Sequence, residues 1–424
     1  MNTQSILQAV ESVLRDQMAN QHMADFSPQA RLNEDLHLDS VQVLNLLLHL
    51  ETRHGFNVPE ETLGKDSFET VEGLARFITG EPAAAEAPGD EEIDIKVHCF
   101  VSCLSAAIKA SDGLDHRPFY FGVWDTDFHV DDKARLTYHA PSVKHDHFRH
   151  WFRRLYGVNV IGWYDPARTK QDNLDRFEQL LHDKRETEHL MVMLDLYHLP
   201  ERENKFNQNP FPHYVTIDRT DNPDIWFMHD PDYRWEGPLE RRAILTAIAQ
   251  PSVAGGYIFD RAEARAPLPE VLQDYFLTVF DGGHNLLTDA VRDIVRRHVD
   301  PSTPLALSDL DHALRELPVI AIRKYAYEHG FAFFWRELGL PEQDFEDWCD
   351  QIEALHQGFK ALHYRIVKLS ATQDPAQATQ VLADLDALDA QEFRIKAGLW
   401  AWFTAWQAAA EIKQPPALAK TGTV

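Results

Sequence analysis

Hydrophobic residues follow three successive patterns along the chain. Up to residue 80 they recur every three or four positions, which predicts helices near residues 4–18, 41–54 and 70–79. The middle of the chain has short apolar runs typical of strands, at residues 119–124, 158–164, 190–197, 213–218 and 225–229. From about residue 267 the spacing is helical again, with breaks near Pro301, Pro304, Pro341 and Pro375. This order predicts an α+β multidomain protein with a small four-helix bundle, an α+β unit containing an antiparallel sheet, and a helical C-terminal region.

Residues 81–92 interrupt these patterns. Their sequence, EPAAAEAPGDEE, holds proline, alanine and acidic residues without apolar periodicity, which is the composition of a solvated linker. We therefore expect a domain at residues 1–80, a flexible linker at 81–92, a second folded domain at 93–262 and a helical domain at 263–424.

Charge and composition exclude several classes of function. The 424 residues include 41 lysines and arginines against 67 aspartates and glutamates, and the net charge of −26 opposes binding to nucleic acid and to anionic membranes. No run of 18 apolar residues occurs, so we expect a cytoplasmic protein. Three cysteines are too few for a disulfide scaffold, and no Walker or GxGxxG pattern for nucleotides is present. An acyl substrate would therefore be activated by a separate adenylating ligase.

Asp39 and Ser40 directly precede the apolar helix predicted at Val41–His54. A serine in this position can serve as an N-cap that satisfies a free backbone N–H. The same position also suits a phosphodiester, because free N–H groups and the positive end of the helix dipole attract anions. On these residues alone, the N-cap interpretation is the stronger one.

The wider window RLNEDLHLDSVQVLNLLLHLETRHGFNVPEE resembles acyl, aryl and peptidyl carrier proteins. The shared features are a leucine-rich approach, the Asp-Ser pair, and a helix closing on Glu51 before a Gly-Phe-x-Val-Pro turn. The resemblance implies that Ser40 carries a covalent 4′-phosphopantetheine arm, attached by a phosphopantetheinyl transferase. Carrier proteins usually have leucine after this serine, where the present chain has Val41.

Cys99 lies at the start of a predicted helix in the segment KVHCFVSCLSAAIKA. Backbone N–H groups at a helix start favour a reactive thiolate, so Cys99 is the candidate nucleophile. Cys103 lies one turn later inside the same helix, and we expect it to be buried. Cys349, in the acidic segment FEDWCD, has no neighbouring histidine in the sequence and is expected to be buried as well.

A predicted hairpin supplies a histidine and a carboxylate for a nucleophilic cysteine. The strands HYVTIDR and IWFMHDP flank the turn at residues 220–223, and the centre of this turn is also halfway between His213 and Asp230. This symmetry predicts that His213 and Asp230 lie directly opposite each other and point to the same sheet face. Asp230 would then orient the His213 imidazole toward the thiol. The competing interpretation is a structural histidine and an Asp-Pro turn, and on the hairpin alone it is the stronger one.

The arrangement resembles the papain-like superfamily, with a cysteine at a helix start, a His-aromatic-Val-x-Ile strand and a strand ending in Asp-Pro. It is most similar to carrier-dependent acyltransferases of natural-product assembly, a group that includes the butirosin side-chain transferase and the petrobactin condensing enzyme. The resemblance implies a Cys99, His213 and Asp230 triad that moves an acyl group, of hydroxybenzoyl type, from the carrier arm to an amine such as the polyamine spermidine. The glycine and upstream glutamine of related peptidases are missing, which leaves the backbone N–H of Cys99 as the first candidate oxyanion donor and His98 as the second.

Two alternatives remain open from the sequence. The same triad would serve a thioesterase or cysteine peptidase with water as the acceptor, and a non-catalytic carrier scaffold would need no triad at all. The histidines in KHDHFRHWF, at positions 145, 147 and 150, do not share one helix face, so no metal site is predicted. The aromatic series Trp400, Trp402, Phe403 and Trp406, with FAFFWREL at 331–338, is expected to form helix packing, with an acyl pocket as the less favoured alternative.

Overall fold

The computed structural model describes residues 3–38, 40–59, 69–80, 97–140, 143–199 and 209–409. The linker predicted at 81–92 and the residue Asp39 lie outside the described residues. Among the helices that are described, none combines the length and the apolar character needed to cross a membrane.

The N-terminal region, residues 3–80, is helical. Its helices are α1 (Thr3–Ser12, continued by a π-helical turn at Val13–Gln17), α2 (Ser40–His54) and α3 (Val71–Thr79). Thr70 caps α3 by accepting a hydrogen bond from the Gly73 N–H at 3.1 Å. Leucines of α2 and α3, such as Leu47 and Leu74, are fully buried in one shared hydrophobic cluster. The helices predicted from apolar spacing are present, while residues 60–68 lie outside the description.

The central region, residues 97–264, is built on antiparallel strands with helices on both sides. The strands are β1 (His129–Val130), β2 (Leu136–Thr137), β3 (Ile161–Gly162), β4 (Glu188–Asp195), β5 (Pro212–Arg219), β6 (Ile225–Asp230), β7 (Trp235–Glu240) and β8 (Gly256–Asp260). The helices are α4 (Cys99–Lys109), α5 (Asp146–Tyr156), α6 (Lys170–Asp183) and α7 (Arg241–Ile248). Strands β1 and β2 pair separately, and the main sheet has the order β3-β8-β4-β5-β6-β7. This arrangement confirms the predicted α+β class and its antiparallel sheet.

The main sheet is buried on both faces. Alternate residues of β4 belong to different hydrophobic clusters: Met191 and Met193 face the cluster that contains α4, whereas Leu190 and Val192 face the cluster that contains α6 and α7. A strand covered on both faces reads as a continuous apolar run, which is why β4 was visible in the sequence as LMVMLDLY.

Parts of the strand prediction are wrong. Residues 119–124 form short 3₁₀ turns, because Pro118 starts one of them and Gly122 adopts a positive φ of +76°. A Cβ at Gly122 would lie 2.5 Å from the Cβ of Val279, so the chain passes too close to this residue for a side chain there. Strands β7 and β8 were not predicted. Strand β7 contains Pro238, which weakens the strand pattern in the sequence. The proline is tolerated there because β7 forms an edge of the main sheet.

The C-terminal region is helical, as predicted. Its helices are α8 (Pro269–Val279), α9 (Leu286–Val299), α10 (Leu310–Ala313), α11 (Leu317–Ala321), α12 (Ala326–Leu338), α13 (Glu342–Thr372) and α14 (Pro375–Ala409). The predicted breaks at Pro341 and Pro375 coincide with the starts of α13 and α14. Phe403 of α14 is buried and stacks on Phe276 of α8 with ring centroids 4.1 Å apart. The aromatic series in α14 therefore contributes to helix packing.

Candidate active site

Cys99 is the first residue of α4, and a carboxylate fixes the chain around it. Asp232 accepts hydrogen bonds from the backbone N–H of Val97 at 3.2 Å, from that of His98 at 3.0 Å and from the Ser102 hydroxyl at 2.8 Å. All three bonds end on one oxygen, Oδ1. Asp232 therefore caps the start of α4 and sets the direction in which the Cys99 side chain leaves the helix.

The His213 imidazole meets the Asp230 carboxylate at 2.9 Å between Nε2 and Oδ1, and both side chains are almost completely buried. The predicted register is wrong, however. Thr216 pairs with His229, and continuing this register places Asp230 level with Val215 rather than with His213. A shift by two residues keeps both side chains on the same sheet face, so a diagonal contact replaces the directly opposed one.

The register differs because the hairpin loop is longer than predicted. The last strand pair is Arg219 with Trp226, which leaves residues 220–225 between them, two residues more than the predicted turn at 220–223. The Thr220 hydroxyl lies 3.0 Å from the Asn222 carbonyl and 2.7 Å from that of Ile225, contacts that stabilise this loop. The two additional residues move the pairing centre one position toward the C-terminus, away from the point midway between His213 and Asp230.

His213 also contacts the candidate nucleophile. Burial by itself lowers the pKa of His213, but the negative charges of Asp230 and Cys99, together with hydrogen bonds to both side chains, raise it well above the usual value. Because Nε2 faces Asp230, the remaining ring nitrogen, Nδ1, is the one available to the thiol. The structure thus brings Cys99, His213 and Asp230 together in the order that a nucleophile, a proton carrier and an orienting carboxylate require.

The other cysteines lie in different surroundings. Cys103 is buried, its sulfur lies 3.4 Å from the carbonyl of Tyr214, and burial raises the pKa of its thiol well above the usual value. Cys349 is partly buried on α13, and burial together with the charge of Glu328 raises its pKa. Cys99, in contrast, borders a cavity.

A small cavity of about 90 Å³ opens beside Cys99. Its aromatic lining comes mostly from the central region, as Tyr138, Phe211, Tyr214 and Tyr233. Val319 of α11, with Ile322 and Arg323 just after it, forms the opposite wall. The mainly apolar lining suits a small aromatic acyl group. The aromatic residues of α14 are not among the residues that line this cavity.

Arg323 brings a buried cation to the cavity, and the sequence analysis missed it. Its side chain donates from Nη1 to the carbonyls of Thr126 and Asp127 and to the Thr126 hydroxyl, at 3.0–3.3 Å. Burial lowers the pKa of Arg323 to about 10, so the guanidinium remains charged near neutral pH. In the sequence RKYAYEHG nothing separates Arg323 from an ordinary helix-surface arginine.

A buried charge network lies next to Arg323. Lys324 Nζ donates to Glu392 at 2.5 Å and lies 3.2 Å from Asp125, whose other oxygen accepts from Lys396 at 2.6 Å. Each of the four side chains is at most 5% exposed. Two cations and two anions thus compensate one another inside the protein, and they join α14 to the loop that holds Arg323.

His98 lines both this cavity and a second one of about 250 Å³. Its backbone N–H is already bonded to Asp232, so His98 can serve as an oxyanion donor only through its side chain. The ring is 8% exposed, and its Nδ1 has no hydrogen-bond partner in the described part of the chain. Burial lowers the pKa of His98 well below the usual value, which keeps the ring neutral.

The three histidines of the segment KHDHFRHWF lie at different positions relative to the two cavities. His145, just before α5, lines both cavities and stacks on Phe100 with centroids 4.4 Å apart. His147 lines only the second cavity, and His150 lines neither. His145 is therefore the histidine of this segment that borders both cavities.

Ser40 is the first residue of α2, a helix of 15 residues. This backbone position fits the predicted modification, since a phosphodiester at a helix start faces unpaired N–H groups. Ser40 lies in the N-terminal region, so a group attached there must reach the Cys99 cavity from that region.

Comparisons with known proteins place the chain in a family. The DUF6005 N-terminal domain matches residues 94–264, and the DUF6005 C-terminal domain matches residues 270–420. Petrobactin synthase of Bacillus anthracis is 41% identical over 313 residues, which cover 74% of this chain and 96% of that protein. The chain belongs to the petrobactin synthase family.

Carrier proteins are a second group of relatives. Acyl carrier protein AsbD of Bacillus anthracis is 30% identical over 78 residues, covering 18% of this chain and 86% of that protein. Aminoacyl carrier protein 1 of Bradyrhizobium diazoefficiens is 33% identical over 82 residues, covering 19% of this chain and 87% of that protein. This member of the petrobactin synthase family therefore also has similarity to carrier proteins, with Cys99, His213 and Asp230 inside the segment matched by the first DUF6005 domain.

Proposed function

We propose that the protein is an amide-forming acyltransferase of siderophore-like biosynthesis, which moves an acyl group from its own carrier domain to an amine through Cys99. The observation that carries the proposal is the buried contact of His213 with both Asp230 and Cys99 at the wall of an aromatic cavity. Its family relationship to petrobactin synthase supports a biosynthetic role.

The carrier part of the proposal rests on residues 1–80. Their similarity to carrier proteins and the position of Ser40 at the start of α2 support attachment of 4′-phosphopantetheine to Ser40 by a phosphopantetheinyl transferase. When bound, this group supplies a terminal thiol on which a partner ligase loads the acyl group as a thioester. The chain's own residues then carry out the transfer.

The first chemical step forms an acyl-Cys99 bond. The Cys99 sulfur attacks the thioester carbonyl carbon, a new C–S bond forms, and the bond to the departing sulfur breaks. His213 gives its proton to that departing sulfur, and Asp230 holds the imidazole in place. The backbone N–H of Cys99, at the start of α4, is the donor for the carbonyl oxygen during this step.

The second step transfers the acyl group to an amine. The amine nitrogen attacks the carbonyl carbon of acyl-Cys99, an amide bond forms, and the C–S bond breaks. The amine proton moves to the neutral His213, which returns it to the Cys99 sulfur. The aromatic lining keeps water away from the acyl-Cys99 bond, which favours amide formation over hydrolysis.

We assign the amine to the second cavity, because it meets the first at His98 and His145. Asp127 lines this cavity, and within the described residues no lysine or arginine forms an ion pair with its carboxylate. A polyamine such as spermidine has further protonated nitrogens that this carboxylate can attract while one uncharged amine reacts. The aromatic lining of the first cavity suits a hydroxybenzoyl donor.

Intact-mass spectrometry of the holo-protein tests the proposal. Loading the arm with a hydroxybenzoyl group should give a species in which the acyl group resides on Cys99, and added spermidine should convert it to the free amide. Cys99→Ala should keep the acyl group on Ser40 and give no amide. Release of the free acid at the same rate with and without amine would instead favour the thioesterase or peptidase alternative, and amide formation by Cys99→Ala would favour a scaffold.

A further inference from the structure

The N-terminal region is held against α13 by a charged residue of α2. Glu51 accepts a hydrogen bond from the Tyr364 hydroxyl through Oε2 at 2.8 Å, and its Oε1 lies 2.8 Å from Lys368 Nζ. The Lys368 and Glu51 side chains are 21% and 27% exposed, so the pair is partly shielded from solvent. One carboxylate therefore makes two specific contacts with α13.

Apolar burial accompanies this contact. Tyr364 and Val367 of α13 are 0% and 1% exposed, and they belong to the same hydrophobic cluster as Leu44 and Leu47 of α2. Residues of the C-terminal region thus complete the core of the N-terminal region. A chance contact between two solvated surfaces would not bury side chains this fully.

The same helix supports the wall of the Cys99 cavity. Tyr325, two residues after Arg323, packs on His356 of α13 with ring centroids 4.7 Å apart. His356 and Tyr364 are eight residues apart, which corresponds to about 12 Å along a helix. Helix α13 therefore contacts Glu51 and supports the cavity wall at two positions that are close together along the helix.

Glu51 and Ser40 lie toward opposite ends of α2. Ser40 precedes Glu51 by 11 positions, or about 16 Å of helix. The contact of Glu51 with Lys368 is therefore about three helical turns away from the residue that we propose carries the arm.

We infer that this face of α13, formed by Tyr364, Val367 and Lys368, is the docking surface for the chain's own carrier domain, and that Glu51 is its recognition residue. The inference rests on the proposed function, since it assigns a role in acyl transfer to the contact. Docking on the helix behind the cavity wall raises the effective concentration of the loaded arm at Cys99, so transfer within one chain exceeds transfer between chains.

Reversal of one charge tests the docking surface. Lys368→Glu places a carboxylate against Glu51 and should slow acyl transfer from Ser40 to Cys99 about tenfold in a single turnover of the full-length holo-protein. Transfer from a small pantetheine thioester to Cys99 in the same variant should be unchanged. The double variant Glu51→Lys with Lys368→Glu restores opposite charges and should recover transfer to within about threefold of the original rate.

The matched control is Glu11→Lys, which makes the same charge reversal as Glu51→Lys but on α1, at a glutamate paired with Arg15. This variant should transfer at the original rate. Full activity of Lys368→Glu from the Ser40 arm, or failure of the double variant to recover while its thermal unfolding is normal, would overturn the inference.

Solution scattering gives a readout that does not depend on activity. The radius of gyration should increase in Lys368→Glu and return to the original value in the double variant. An unchanged radius in Lys368→Glu contradicts docking through this pair. If the original protein docks by this measure but acylates Cys99 from neither the arm nor the small thioester, the proposed function fails and the docking surface stands as a structural contact.

Discussion

The two walls of the Cys99 cavity are built in different ways. On the sheet side, His213 contacts both Asp230 and Cys99, so the candidate reacting groups hold one another in place. On the helical side, Arg323 touches none of these three side chains by a hydrogen bond in the described part of the chain, and it is supported by backbone carbonyls beside a buried charge network. On the sheet side, the candidate reacting groups interact with one another directly. On the helical side, the shape and charge of the wall depend on residues that lie away from the cavity.

This difference implies two kinds of sensitivity. On the sheet side, removal of the Cys99 sulfur should lower the rate and leave the fold intact, because this side chain is only partly buried. Changes on the helical side should lower the free energy of unfolding first, because buried charges without partners are costly. The predictions below test this contrast, from the largest expected effect to the smallest.

Cys99→Ala should lower acyl transfer by at least about 10⁴-fold without changing thermal unfolding. The reason is that the variant removes the atom that forms the acyl bond while leaving the capped start of α4 in place. His213→Ala should lower transfer by several orders of magnitude as well, and Asp230→Ala by less, since an orienting group is partly replaceable. Single-turnover kinetics with mass detection measures all three, and an active Cys99→Ala would remove the sheet side from the chemistry.

Glu392→Gln should destabilise the helical side by about 3–5 kcal/mol. The substitution leaves Lys324 and Lys396 buried with Asp125 as their one remaining carboxylate in the network. Chemical denaturation followed by circular dichroism measures the change. Glu72→Gln is the matched control, because its ion pair with Arg76 is largely exposed and should contribute less than about 1 kcal/mol. Equal effects in both variants would contradict a structural role for the network.

Acid should destabilise α13 through His363. Burial lowers the pKa of His363 to about 4, so between pH 6.5 and pH 4 the unfolded chain binds a proton that the folded chain does not. Stability is therefore full above pH 6.5 and falls as the pH is lowered toward 4, by roughly 3 kcal/mol for this group. Thermal unfolding at a series of pH values should show a shallower slope in His363→Gln, and an unaltered slope would show that His363 is not buried in neutral form.

The smallest effect is expected at Cys103, one turn from the candidate nucleophile. Cys103→Ala should keep acyl transfer within about threefold and cost about 1 kcal/mol of stability, because the thiol is buried against the Tyr214 carbonyl and takes no part in the chemistry. Kinetics and denaturation of the same preparation check both numbers. If Cys103→Ala were inactive and Cys99→Ala active, the assignment of the nucleophile would be reversed.

Much of the fold was predictable because its signals are local. The helix starting at Cys99 and the strands around His213 and Asp230 follow from apolar spacing within a few residues. The contact of His213 with Asp230 was reached through a wrong register, and it survived because side-chain direction in a strand depends on odd or even spacing rather than on exact alignment. Strands containing proline, such as β7, gave too little signal.

The remaining part of the site was not predictable because its residues meet only through tertiary packing. Asp232 contacts Val97, His98 and Ser102 across about 130 positions of sequence. Its one local signal was its place in the Asp-Pro-Asp segment, two residues after Asp230. Arg323 reaches the cavity from a different region of the chain, and no spacing rule connects it to Cys99.

The Asp-Pro-Asp segment at 230–232 has a consequence for motion. Its first carboxylate holds His213 and its second holds the start of α4, so one short turn connects the imidazole to the helix that carries Cys99. When the hairpin fluctuates, we expect both partners to travel together and the sulfur-to-imidazole separation to change little. The wall at Val319 and Arg323 lacks this linkage and is supported by the buried charge network and α13 instead, so we expect it to shift separately when a bulky acyl group enters. Substrate entry and catalytic alignment therefore depend on different parts of the protein. Structures with and without an acyl group on Cys99 should differ in the position of the helical wall and not in that of the sheet wall.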